Sequence, residues 1–106
     1  MKEYDIRKGF QDKTQPENLK ALMKEIFGNA EEKEGKILSS YGGLKELAAW
    51  PSKKTLFVDT KMDPSVANDV ARQTIEAYNT FLERATGYTS KERGKRIQKK
   101  AKEGKL

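Results

Sequence analysis

The chain has 106 residues, 35% hydrophobic and 36% charged, with a formal net charge of +6; this suits one domain around a single core and is too short for two. Cysteine and histidine are both absent, which excludes disulfides, thiolate zinc sites and thiol catalysis, and removes the commonest general base and metal ligand. All of the net charge sits in residues 91–106, where eight basic side chains meet two acidic ones, while residues 1–90 balance at 14 of each sign.

Tyr4 and Ile6 alternate with Glu3, Asp5 and Arg7, the period of a half-buried first strand that Gly9 and the polar run after it bring to an end. Thr14 followed three residues later by Glu17 has the form of a capping box, and Pro16 suits a first helical turn. Leu19, Leu22, Met23, Ile26 and Phe27 then recur at helical spacing up to a stop at Gly28. Asn29 to Gly35 is expected to be an acidic loop, although Ala30 could begin a strand with Glu32 and Glu34 turned to solvent. Lys36 to Tyr41 reads as a strand, Gly42-Gly43 as a two-residue hairpin turn, and Leu44 to Trp50 as the returning strand, with helix the competing reading for that last stretch. After a turn at Pro51 to Lys54, Thr55 to Met62 alternates as a strand again.

Asp63-Pro64 has the signature of a helix start, an N-cap carboxylate before proline. Val66, Val70, Ala71, Ile75, Tyr78, Leu82 and Ala85 follow at helical spacing to a stop at Gly87, where Tyr88 is expected to fold back on Leu82. A second capping box, Thr89 to Glu92, opens a basic segment whose only apolar positions are Ile97 and Ala101. With Gly94 inside it, this segment is expected to project as a frayed helix or to stay disordered until a charged partner orders it.

The order is therefore β-α-β-β-β-α, an α+β domain over residues 1–88 followed by a basic C-terminal extension over residues 89–106. A four-stranded, mostly antiparallel sheet with both helices on one face is the simplest two-layer sandwich. Its other face is then wet or covered by a second subunit.

The stretches Gly35-Lys-Ile-Leu-Ser-Ser-Tyr-Gly-Gly-Leu-Lys-Glu-Leu, Met62-Asp-Pro and Ala77-Tyr-Asn-Thr-Phe-Leu-Glu-Arg-Ala-Thr-Gly-Tyr-Thr-Ser-Lys-Glu-Arg-Gly-Lys-Arg resemble a small uncharacterised family of archaeal proteins, over nearly the full length. The resemblance implies a compact α+β domain similar to one half of the TATA-box-binding-protein fold, whose order is also strand, helix, several antiparallel strands, helix. It implies no activity at any named position, and fold alone does not transfer function.

Two sets of residues are candidates for binding. On a helix, Lys91, Lys95, Lys99 and Lys102, with Arg96 and Lys100 close by, would lay positive charge along one broad side, as suits a phosphate backbone. Arg93 and Arg96 are the natural forked donors and the lysines point charges. RNA or DNA is the partner this predicts; the same run also reads as a solubilising terminus without a dedicated partner, or as a site for another polyanion. Membrane-surface binding is not expected, because Ile97 alone makes no apolar face. The second set is aromatic. Tyr41, Trp50 and Phe57 fall on three consecutive strands and, if they share the open face, would stack on unpaired bases or form a homodimer interface; core packing is the competing reading.

Asp59 and Asp63 could hold a hard cation, but no calcium-loop spacing is present and Asp63 reads better as a helix cap. No metal, cofactor or small-molecule substrate is expected, and without histidine or cysteine the protein reads as a non-enzyme. Lacking a signal-peptide-like start or about 18 consecutive apolar residues, it is expected to be soluble and cytoplasmic.

Overall fold

The computed structural model describes residues 2–52 and 55–102, with side chains up to Lys99. Strand β1 (Lys2–Asp5) leads through a short 3-10 turn (Gln11–Thr14) into helix α1 (Pro16–Phe27). Strands β2 (Glu31–Lys33), β3 (Lys36–Tyr41), β4 (Leu44–Ser52) and β5 (Thr55–Met62) follow, then helices α2 (Asn68–Thr86) and α3 (Ser90–Lys102). The strands form one antiparallel sheet in the order β1-β5-β4-β3-β2. The class is α+β as expected, with five strands rather than four and three helices packed against an open sheet. Leu44–Ser52 is a strand, not the competing helix. Lys53 and Lys54, the end of the expected turn after it, lie outside the described residues.

The fifth strand comes from the stretch expected to be a loop. Glu31 to Lys33 pairs with Leu38 to Lys36, and Glu34 and Gly35, both at positive φ (53° and 81°), close a two-residue hairpin. Such a turn matches the right-handed twist of the strands it joins. All three residues of β2 are exposed, so the segment lacks the apolar alternation that marks a strand; charged residues on an edge strand also discourage pairing with other chains.

α1 and α2 cover one face of the sheet. Leu19, Met23 and Phe27 of α1 and Phe81, Leu82 and Ala85 of α2 meet Ile37, Leu44, Leu47, Ala49, Leu56 and Val58 from the strands, with Tyr4 and Ile6 closing the β1 side. α1 ends at Gly28 as its sequence indicates, but Thr14 does not cap it. The Thr14 hydroxyl instead donates to the Gln11 carbonyl (2.9 Å) in the 3-10 turn, and Gln15 takes the N-cap position without a side-chain bond.

α2 likewise starts one turn later than Asp63-Pro64 suggests. The Asp63 amide donates to the Gly43 carbonyl (2.7 Å), tying this residue to the sheet end, and its carboxylate accepts from the Ser65 amide and hydroxyl. Those bonds hold the Asp63 carboxyl below its usual pKa. The buried stripe of α2 is also rotated from the expected one: Thr74, Phe81, Leu82, Ala85 and Thr86 are buried while Ile75 is 52% exposed. Thr74 faces the core because its hydroxyl accepts from the Gly43 amide (2.9 Å) and donates to the Val70 carbonyl (2.7 Å). Here the β3–β4 turn presses against α2. A Cβ on Gly42, whose φ is +51°, would lie 2.5 Å from the Thr74 hydroxyl, and one on Gly43 would lie 2.9 Å from Val66. Both glycines answer to close approach as well as to the turn.

Candidate functional site

The basic C-terminal segment is a docked helix. Its start is the capping box that the sequence carries: the Glu92 amide donates to the Thr89 hydroxyl (3.2 Å) and the Thr89 amide to the Glu92 carboxylate (3.1 Å). The backbone bond from Thr89 holds the Glu92 carboxyl below its usual pKa. One turn later Arg93, only 6% exposed, donates to the Tyr88 carbonyl (2.6 Å) and to Asn79 Oδ1 on α2 (3.0 Å). Burial pushes its pKa down, although the neighbouring Tyr4 and Tyr78 act to raise it. Beneath it the Tyr4 and Tyr78 hydroxyls share a hydrogen bond of 3.0 Å, and burial drives the Tyr78 pKa strongly upward, helped by that bond.

Arg96 completes the anchorage. Its Nε lies 2.9 Å from the Asp5 carboxylate on β1, and its guanidinium lies over the Tyr88 ring at 4.7 Å from the centroid, where Arg7 approaches to 5.5 Å. Tyr88, expected to fold back on Leu82, offers its ring to the two arginines, and its amide meets the Thr86 hydroxyl (3.3 Å). Together these contacts seat α3 beside β1, an edge of the sheet.

The two arginines named as forked phosphate donors are thus engaged within the protein: Arg93 is buried, and Arg96 is paired with a carboxylate. Lys91, Lys95 and Lys99 are exposed. At about 100° per residue Lys91 and Lys95 lie some 160° around the helix from Arg93, and Lys99 about 120°. None of the three makes an ion pair among the described residues. The side chains of Lys100 and Lys102 lie outside the described residues. Arg93 stands four residues before Ile97, so the two share a face, but Ile97 is itself 43% exposed and the spacing alone does not mark Arg93 as the anchor.

The aromatic set divides between two faces. Tyr41 lies on the helix-covered face, in line with the buried Ile37 and Ser39, and its ring packs on Phe27 with centroids 5.9 Å apart. Trp50 and Phe57 are directly opposed across β4 and β5 on the open face, ring on ring at 5.7 Å and 15°. The Lys36 ammonium lies 4.6 Å from the Trp50 centroid. Phe57 and Lys36 both lie against the Trp50 ring, so part of the surface that a base would stack on is already in contact within the protein. Alternation from the paired residues places Glu3, Asp5, Asp59, Glu46 and Glu31 on this face together with Lys33, Lys36 and Lys61, and Arg96 of α3 pairs with Asp5 at its edge, so the face carries charges of both signs.

Elsewhere the surface offers little built for chemistry. A groove of about 560 Å³ beside Phe10, Lys13, Asn18 and Arg84 contains the exposed Arg84–Glu25 pair (3.0 Å). A smaller groove of about 190 Å³ lies between Leu44, Met62, Ile75 and Tyr78. Among the described residues no three acidic side chains come together closely enough to hold a metal ion, and no helix is long and apolar enough to cross a membrane.

No curated protein matches this chain. A solved structure does: the NMR solution structure of hypothetical protein TA0095 from Thermoplasma acidophilum, an archaeon, is 29% identical with a TM-score of 0.64, over 92% of this chain and 97% of that one. The sheet and helices described above are therefore similar to those of an archaeal protein across almost all of both chains. A family model for a domain of unknown function, DUF5611, matches residues 1–99, which take in the sheet, both core helices and α3 as far as Lys99, and the chain belongs to that family.

Proposed function

We propose that this is a non-enzymatic accessory protein that associates with RNA or DNA through the lysine side of α3, without sequence preference. The observation that carries the reading is the division of α3 into two sides: Arg93 and Arg96 bind the helix to the body, while Lys91, Lys95 and Lys99 stay in solvent. A helix held in place presents its charges without the entropy cost of ordering a free tail, which favours binding. Lysines act as point charges on phosphates and read no base. The resemblance to one half of the TATA-box-binding-protein fold that the sequence implies is one of architecture and lends no base-reading role.

Anisotropy of labelled single-stranded and duplex oligonucleotides, measured between about 50 and 300 mM salt, tests the proposal. Each lysine–phosphate contact contributes about −0.9 to the slope of log K against log salt on duplex and about −0.7 on single strands. Replacing Lys91, Lys95 and Lys99 together by alanine should flatten the duplex slope by about 2 to 3 and weaken binding, while Trp50→Ala leaves the slope alone. An unchanged slope in the triple variant, or no binding by the intact chain at 50 mM salt, refutes it.

A further inference from the structure

A second basic element lies against the start of α3. The turn after β1 is closed by the Phe10 amide donating to the Arg7 carbonyl (2.9 Å), with Lys8 and Gly9 (φ +93°) at its corners. The Arg7 amide in turn donates to the Thr86 carbonyl (2.8 Å) at the end of α2. A Cβ on Gly87 would lie 3.0 Å from the Arg7 Cβ and 2.9 Å from a Phe10 ring carbon, so the turn packs directly on the α2–α3 junction. The backbone of Arg7 is thereby fixed relative to α3.

Three neighbours place its side chain. The guanidinium lies 5.5 Å from the centroid of Tyr88, the ring that Arg96 also covers. Nη1 reaches the Gly87 carbonyl at 3.4 Å, a long bond that uses one of the five N–H donors. Hydrogen bonds with Thr89 do most to hold the Glu92 carboxyl below its usual pKa, and the positive charges of Arg7 and Lys95 add to that, so both cations act on one carboxylate. At about 100° per residue the order around α3 is Arg96, Glu92, Lys99, Lys95, Lys91, in steps of about 20–40°. Arg7 is near Arg96 through Tyr88 and near Glu92, and so stands at the margin of the lysine side. Unlike Arg93 it is exposed, and unlike Arg96 it forms no ion pair among the described residues. The carboxylate beside it is committed to the Thr89 amide.

We infer, in a step that rests on the nucleic-acid reading of α3, that Arg7 is a further phosphate contact and that the bound backbone crosses from α3 onto the turn after β1. An arginine grips a phosphate through paired N–H donors, where the lysines supply point charges. Arg7 therefore sets where the strand leaves the helix, and it does so without reading a base. Because its backbone is already fixed, little ordering cost falls on binding.

Anisotropy of the full chain across a salt series tests it, with duplex DNA and oligo(dT) of about 16 nucleotides as probes. Arg7→Gln should reduce the slope of log K against log salt by about 0.9 on duplex and about 0.7 on oligo(dT), and Arg7→Lys, which keeps the charge, should restore most of it. In the unaltered protein the Arg7 Nε–H resonance should shift as oligo(dT) is added, while that of Arg72, about four turns back along α2, stays in place. A slope that Arg7→Gln leaves unchanged, one that Arg7→Lys loses equally, or an unmoved Arg7 resonance overturns the inference. If the variant with Lys91, Lys95 and Lys99 replaced still flattens the slope, the α3 reading survives that failure; no binding by the intact chain overturns both. Exchange of the α3 amides shows whether Arg7→Gln undocks the helix, and if it does, the Arg7 resonance in the unaltered protein decides alone.

Discussion

Arg93→Ala should release α3 from the body. The guanidinium makes hydrogen bonds of 2.6 and 3.0 Å to the Tyr88 carbonyl and Asn79 Oδ1, and bonds to a charged donor are each worth about 1.5–3 kcal/mol. Against this stands the desolvation of the guanidinium, visible in its lowered pKa, and in favour of a large effect stands the stranding of Asn79 and the carbonyl once the donor is gone. The net loss comes to about 2–4 kcal/mol of docking free energy. A helix of 13 residues with a glycine inside it is marginal on its own, so undocking should also unwind it. Hydrogen exchange is the assay: α3 amides should exchange at least about 30-fold faster than in the unaltered protein, 2 kcal/mol corresponding to about that factor. The core strands should be much less affected. Lys95→Ala, on the solvent side, should shift stability by no more than about 0.5 kcal/mol. Equal protection of α3 in Arg93→Ala and the unaltered protein would refute the anchoring role.

Gly94→Ala should stabilise α3 by up to about 1 kcal/mol, since a Cβ there meets nothing within 4 Å; slower exchange of the α3 amides checks it. Gly42→Ala should cost about 1–3 kcal/mol, because its Cβ would lie 2.5 Å from the Thr74 hydroxyl at a φ of +51°, and thermal unfolding would show a midpoint lower by several degrees. Alkaline unfolding should depend on Tyr78. Its folded pKa is raised by burial and by the Tyr4 hydroxyl, so the unfolded chain loses the proton first and the stabilisation, complete below about pH 10, is lost as pH rises further. Tyr78→Phe should lower stability at pH 7 by about 1 kcal/mol and flatten the decline above pH 10, as urea titrations at pH 7, 9 and 10.5 would show.

Local signals in this sequence were readable where tertiary contacts did not compete. The alternation in β1 and β5, the strand at Lys36–Tyr41, the stripe of α1 and the stops at Gly28 and Gly87 all match the structure. Thr14/Glu17 and Thr89/Glu92 carry the same capping signature, yet only the second forms, because Thr14 is drawn into the 3-10 turn before α1. Asp63-Pro64 fails as a helix start for a similar reason: the Asp63 amide is held by Gly43, far away in sequence. β2 has no apolar residue to betray it and exists because β3 offers it an edge. Of the candidate binding residues, Tyr41 is placed on the helix-covered face and Trp50 and Phe57 on the open one only by the register of the strand pairs and the helix packed against them. The burial of Arg93 depends on Asn79, 14 residues earlier on another helix, and no pattern of charge alone foretells it.

The central claim is that α3 turns one side to the body and the other to a phosphate backbone. An NMR titration of the full chain with a short oligonucleotide at low salt tests it residue by residue. Amide shifts should concentrate on Lys91, Lys95 and Lys99, and should fade as salt is raised, with Leu38, Trp50 and Phe57 unmoved. Shifts centred on the open sheet face, or none at saturating oligonucleotide, would contradict it.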